Sequence, residues 1–214
     1  MASLSTLASA FEVPGFTPEE WREISRRANE FERREAARRR RGRVERSGIP
    51  HRYLGATLEG CPPEVRRWCS DPSGPLMLRG EVGLGKTWTA CAALIELAAE
   101  HTVLFRTLRQ MADDVRTAEY RENPLYRCQH VGVLCIDDLG KDEMTRARLS
   151  LLFEVVKARD EGGRPTIYTT NYPWPALLRR LMVGDDASIV KTIASRLQGC
   201  VFVDFAGADR RRHE

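Results

Sequence analysis

Eight consecutive residues, Gly80-Glu81-Val82-Gly83-Leu84-Gly85-Lys86-Thr87, follow the pattern G-x-x-x-x-G-K-[ST]. Each residue type in it meets a need of phosphate binding. Glycines let a loop wrap tightly, so that backbone N–H groups converge on phosphate oxygens. The Lys86 ammonium is placed to meet the β- and γ-phosphates, and the Thr87 hydroxyl is a hard oxygen ligand for Mg2+. The apolar run Leu76-Met77-Leu78 precedes the loop and an alanine-rich helical stretch follows it. Those flanks separate a phosphate loop from an ordinary glycine-rich turn. Gly80, Glu81, Val82, Gly83, Leu84, Gly85, Lys86, Thr87 and the adjoining Trp88 are therefore the nucleotide-binding candidates. Lys86 is also a catalytic candidate and Thr87 a metal candidate.

A second set of chemically able side chains ends the apolar run Val131–Ile136, where Asp137 stands 51 residues beyond Lys86 and Asp138 follows it. Two carboxylates at a strand end can divide the work of a hydrolytic site. Asp137 would hold Mg2+, directly or through water, and Asp138 would orient or deprotonate the attacking water. Without a phosphate loop upstream they would read as ordinary exposed acids. Asn171 follows Thr169-Thr170 at the end of another apolar run. It would sense the γ-phosphate or position water, although Asn is also a common turn residue and Pro173 lies just beyond. Arg196, in Ile193-Ala194-Ser195-Arg196-Leu197-Gln198, is either a solvated helix arginine or one that reaches a neighbouring subunit's γ-phosphate.

These residues need a scaffold, and the pattern of apolar runs supplies one. Strands are predicted at Pro75–Arg79, Thr102–Thr107, Val131–Asp137, Thr166–Thr170 and Cys200–Phe205. Helices are predicted at Lys86–Glu100, Leu108–Tyr120, Arg146–Glu161, Pro175–Met182 and Ser188–Gln198. Such alternation argues for a three-layer α/β domain with a mainly parallel five-stranded sheet. Upstream, Thr17 is a predicted N-cap with Pro18 in the first helical position and Glu20 completing a capping box. Phe16 and Trp21 stand at the two positions of a hydrophobic staple. Nothing breaks this helix before Ser47-Gly48-Ile49-Pro50, so it would run about 30 residues, roughly 45 Å. Its first half carries the apolar stripe Trp21, Ile24, Ala28 and Phe31, the narrow spacing of a packing seam. Its second half includes Arg38-Arg39-Arg40-Arg41. The expectation is a docking face at one end and a basic surface at the other, with a domain boundary near residue 47.

Charge supports that division. Net charge is +4, yet residues 22–46 hold eleven arginines against five glutamates. The local +6 leaves the remainder near −2, a basic arm on a near-neutral domain. No apolar run approaches the ~18 residues of a membrane helix, and no basic stretch with an apolar core opens the chain. The expectation is a cytoplasmic protein without a membrane partner. The six cysteines form no C-x-x-C pair and the four histidines are scattered, which argues against zinc. Cys91 and Cys135 read as small core residues in a reducing compartment.

Taken in order, Gly80–Thr87, Ile136-Asp137-Asp138-Leu139-Gly140, Thr169-Thr170-Asn171 and Ile193–Leu197 resemble the Walker A, Walker B, sensor-1 and arginine-finger segments of AAA+ ATPases. The chain is most similar to the DnaC/DnaI-type bacterial helicase loaders and the related IstB transposition ATPases. Ser47–Leu54 also resembles the approach to the ATPase domain in that group, so the resemblance covers residues 47–206. It implies ATP and Mg2+ as ligands and slow hydrolysis stimulated by assembly or DNA. It implies self-association in which one subunit's Arg196 completes the next subunit's site. A replicative helicase would be the protein partner, docked through residues 1–46, with residues 47–214 as the ATPase domain. Single-stranded DNA would lie against the helix Leu108–Tyr120, where Arg109 and Arg116 are basic candidates. An IstB-like ATPase assisting a transposase is the alternative.

Three departures from the group bear on function. Asp138 stands where many AAA+ proteins have Glu, and its shorter reach suits a switch more than a motor. No C-terminal helical lid is expected after the last strand, which removes a second sensor arginine. The N-terminal part is little more than one helix. A small-molecule kinase would need an Arg-rich lid after the phosphate loop, whereas the dense arginine cluster precedes it. A purely passive nucleic-acid-binding protein would have no use for the loop.

Overall fold

The computed structural model describes residues 17–119, 123–184 and 186–207. Five strands, β1 (Pro75–Gly80), β2 (Val103–Thr107), β3 (Val133–Asp137), β4 (Thr166–Thr170) and β5 (Val201–Phe205), pair in parallel in the order β2-β3-β4-β1-β5. All five lie within two residues of their predicted positions. They read clearly because both faces of a parallel sheet are covered, so the central strands β3 and β4 are buried at every position and, Asp137 apart, built from apolar and β-branched residues. Leu76, Leu78, Val133, Cys135, Ile167 and Val203 point to one core, while Met77, Leu104, Leu134, Ile136 and Tyr168 point to the other. At the edge, Arg79 makes a two-pronged bond to its registered partner Asp204, at 2.8 and 2.7 Å, and lies over the Phe202 ring.

Helices cover both faces, giving three layers. On the first face lie α2 (Pro63–Ser70) and α3 (Lys86–Leu97), the latter burying Ala90, Cys91, Ala92, Ala93 and Leu94. The second face is covered by α4 (Leu108–Thr117), α5 (Pro124–His130), α6 (Arg146–Glu161), α7 (Trp174–Leu181) and α8 (Ala187–Arg196). Helices α2 and α5 were not predicted. They are eight and seven residues long, too short to display a helical period, and each opens on a proline that reads as a turn. The predicted end of α4 at Tyr120 lies outside the described residues.

Helix α1 (Pro18–Glu45) precedes this domain and has the predicted capping box. Thr17 N donates to the Glu20 carboxylate at 2.6 Å and Glu20 N donates back to Thr17 Oγ1 at 3.3 Å. The staple partner Phe16 lies outside the described residues. The basic end of the helix also attaches it to the domain, a contact the sequence does not predict. Arg40 Nε donates to the Ile95 carbonyl at 3.1 Å, and Arg43 donates to the Ala98 and Ala99 carbonyls at 3.0 and 2.7 Å. Two guanidinium groups thus satisfy carbonyls left over at the C-terminal end of α3, where the helix dipole is negative. Val44 packs on the core, and Phe105 N donates to Ser47 O at 2.8 Å, tying the following segment to β2. Among the described residues nothing covers the other end fully: Ile24 is 40% and Phe31 67% exposed.

The second layer is fastened to the sheet by Arg159, 1% exposed. Its guanidinium donates to Thr166 Oγ1 (2.7 Å) and to the carbonyls of Cys128 (3.0 Å), Val131 (2.8 Å) and Pro165 (2.7 Å). Burial lowers its pKa to about 10, so it stays charged at neutral pH. One side chain therefore joins the ends of α5 and α6 to the starts of β3 and β4. That register sets Ile136 beside Tyr168, and so Asp137 beside Thr169. Replacing Arg159 with Met would strand several buried carbonyls. Arg159→Met is expected to cost about 3–5 kcal/mol in urea unfolding, and a loss under about 1 kcal/mol would show the network to be dispensable.

Candidate functional site

At the C-terminal end of β1 the chain turns through Gly80–Gly85 and starts α3. Gly80 has φ of 144°, and a Cβ there would collide with the Phe205 carbonyl, so no other residue fits the turn. Gly85, left-handed at φ 91°, is the N-cap of α3 and offers no side-chain cap. By contrast, Thr17, Thr107, Asn123 and Thr145 cap their helices with side-chain oxygens. The first-turn N–H groups of α3 are thus left facing the loop, the arrangement an anion uses. Lys86 is 5% exposed, and its Nζ donates to Glu81 O across the loop at 2.6 Å. Gly83 and Leu84 are buried, Glu81 and Val82 form the exposed rim, and Trp88 packs partly buried against the first core.

Strand β4 lies between β1 and β3, so the loop and the two carboxylates meet across it. Thr87 Oγ1 donates to Asp137 Oδ1 at 3.0 Å. Thr169 Oγ1 donates to the same oxygen at 2.6 Å and accepts from Asp138 N at 2.8 Å. Asp137 is 6% exposed, and burial pushes its carboxyl above the usual range against the lowering effect of the hydroxyl bonds. A hydroxyl and a dehydrated carboxylate oxygen side by side form a hard donor set suited to Mg2+, which keeps several of its waters. The residues present therefore fit that ion.

Asp138 has φ of 54°, the one non-glycine positive φ among the described residues. Its carboxylate turns to Lys141 Nζ at 2.6 Å. Arg180 donates to the Gly140 and Lys141 carbonyls and lies over the Tyr172 ring. Asn171 follows Thr170, which is registered against Arg79, so it stands at the same sheet end as Gly80. Lys86 thus spans the loop and Thr87 touches Asp137, while Asp138 and Asn171 stand at the same end of the sheet.

Arg196 does not join them. It ends α8, contacts Asp160 at 3.6 Å, and lines a small cavity with Gly74, Pro75 and Thr166 at the opposite end of the strands. Roughly 16 Å of β1 separates that end from the loop. Arg109 and Arg116 both pair with Asp113, at 3.9 and 3.2 Å, so α4 presents less free positive charge than its sequence suggests. Two residues that touch these acids, Thr169 and Lys141, escaped sequence reading. Thr169 stood beside the chosen Asn171, and a spacing of four residues from Asp137 to Lys141 carries no motif.

Comparison with known proteins bears on these residues. The family profile described as IstB-like ATP binding protein matches residues 68–213. The crystal structure of DnaI is similar, with a TM-score of 0.66 and 20% identity over 77% of this chain and 95% of that one. That of the DnaC helicase loader gives 0.59 and 19% over 73% and 100%. A putative primosome component from Streptococcus pyogenes serotype M3 gives 0.59 and 21% over 79% and 97%. At these identities the likeness is one of fold. No curated protein matches the chain in sequence.

Burial of Asp137 has a measurable consequence. A carboxyl whose folded pKa is raised contributes stability while protonated, and that stability is lost as pH rises from the unfolded pKa through the folded one. Asp137→Asn removes this loss. The nucleotide-free variant is expected to melt above the wild type at neutral pH, with the gap narrowing as pH falls through the raised folded pKa and closing below the unfolded one, about pH 4. Thermal unfolding across that range checks it, and a lower melting point at neutral pH would show that the threonine bonds outweigh burial.

Proposed function

The chain belongs to the IstB-like ATP-binding protein family, and from that premise we propose that it is an AAA+ ATPase that loads or regulates a replicative DNA helicase. The observation that carries the nucleotide part is the contact of Thr87 and Thr169 with the buried Asp137 beside an uncapped helix start. Support for the helicase part is the match in fold to the DnaI and DnaC helicase loader structures over nearly their whole lengths.

In this reading the loop amides and Lys86 bind the phosphates of ATP, and the Glu81 carbonyl holds Lys86 in place until then. Thr87 and Asp137 would hold Mg2+, which supplies neutralising charge to the phosphates. Asp138 orients the attacking water and accepts its proton, and Asn171 senses the γ-phosphate. Arg196, remote from its own loop, serves the loop of a neighbouring subunit. Residues 1–46 form the partner-binding segment and residues 47–214 the ATPase domain, working in the cytoplasm. Single-stranded DNA meets arginines of α1 in addition to those of α4. The second reading, an ATPase assisting a transposase, is favoured by the family profile itself.

Lys86→Ala is expected to abolish ATP binding measured by calorimetry, and unchanged affinity would sink the nucleotide reading. Arg196→Ala is expected to bind ATP normally but to lose hydrolysis in the assembled protein. Mixing it with Asp138→Asn should restore some turnover, since mixed interfaces pair an intact arginine with an intact acid. No recovery on mixing argues against a shared site. Affinity for single-stranded DNA is expected to fall steeply with salt, as counterion release demands. Capture of a replicative helicase rather than a transposase by the full chain, lost on removing residues 1–46, separates the two readings.

A further inference from the structure

We propose that Lys141 is a positioning residue that holds the Asp138 carboxylate out of its working orientation in the resting subunit, so that hydrolysis requires this ion pair to open. The inference rests on the ATPase reading above and concerns a residue that reading leaves without a role.

Asp138 is built into an unusual posture. Its backbone is left-handed, at φ 54°, where non-glycine residues are uncommon. Its amide is fixed to Thr169 Oγ1 at 2.8 Å, and Leu139 N donates to Thr169 O at 2.8 Å, so the main chain on both sides is held by β4. With the backbone pinned, the side chain of an aspartate has two rotatable bonds and little reach. One carboxylate oxygen is spent on Lys141 at 2.6 Å. The bond also raises the pKa of the Lys141 ammonium, which therefore stays charged throughout the neutral range.

The main chain that carries Lys141 is itself held. Arg180 on α7 grips the Gly140 and Lys141 carbonyls while stacked on Tyr172, and Tyr172 N is bonded to Thr170 Oγ1 at 3.2 Å. Thr170 Oγ1 in turn donates to the Leu139 carbonyl at 2.8 Å. The segment that follows Asp138 is thus fastened to the segment that flanks Asn171. A phosphate-dependent shift at Asn171 has a covalent and hydrogen-bonded route to the loop that carries Lys141. Glutamate at position 138 would reach past such a partner, whereas aspartate would not.

The size of the effect follows from exposure. The Lys141 side chain is 61% exposed and that of Asp138 27%, so the pair is worth what surface ion pairs are worth. Breaking it should therefore raise turnover about two- to fivefold, the factor that such pair energies correspond to.

The test measures kcat, KM for ATP and ATP affinity on the full-length wild type, Lys141→Ala and Lys141→Arg. The expected result is a two- to fivefold higher kcat for Lys141→Ala with KM and affinity unchanged, and wild-type behaviour for Lys141→Arg, which keeps the pair. A merely structural role would lower the melting point and affinity together and would not raise kcat. Turnover in the wild type that Lys141→Ala leaves unchanged or lowers overturns this inference alone. Absence of turnover in all three proteins, with ATP still bound, overturns the ATPase reading and this inference with it.

Discussion

A carboxylate withdrawn from water needs partners, and Asp137 finds its partners in two threonine hydroxyls from different parts of the chain. Thr87 comes from the first turn of α3 and Thr169 from the end of β4. The contact is possible only because β4 is inserted between β1 and β3. Were β1 and β3 neighbours, Thr169 would have no place between the loop and the acid. The buried acid thus depends on strand order, and the site depends on the buried acid.

Strand order is in turn held by devices remote from the site. Arg159 ties the starts of β3 and β4 together through backbone carbonyls, which fixes their register at the other end of the sheet. The same logic recurs at the surface, where Arg40 and Arg43 attach α1 to the carbonyl end of α3. The start of α3, by contrast, is left without a cap. One helix thus has a stabilised C-terminal end and an open N-terminal end, which is the asymmetry an anion site requires.

Basic side chains stand at both ends of the strands. Lys141 pairs with the Asp138 carboxylate, and Arg180 holds the Gly140 and Lys141 carbonyls. Arg196 lies at the far end of the strands, beside Asp160.

The sequence by itself determined the parts whose chemistry is local. The phosphate loop is eight contiguous residues, and its glycines, lysine and threonine carry their roles in their types. The five strands were legible as short runs rich in apolar and β-branched residues, and the Thr17 capping box because it spans four residues. What only the tertiary structure decided are the contacts between segments far apart in the chain. Nothing in the spacing of Arg40, Arg43 or Arg159 says that a guanidinium will end on a carbonyl, because an arginine on a helix looks the same solvated or buried. Hydrogen bonds from the basic end of α1 attach it to α3, while Ile24 and Phe31 of its apolar stripe stay exposed. Thr169 and Lys141 were invisible for a related reason. A hydroxyl or an ammonium acquires a role at a site only from what strand order and loop conformation set within 3 Å of it, and neither is written in local residue type.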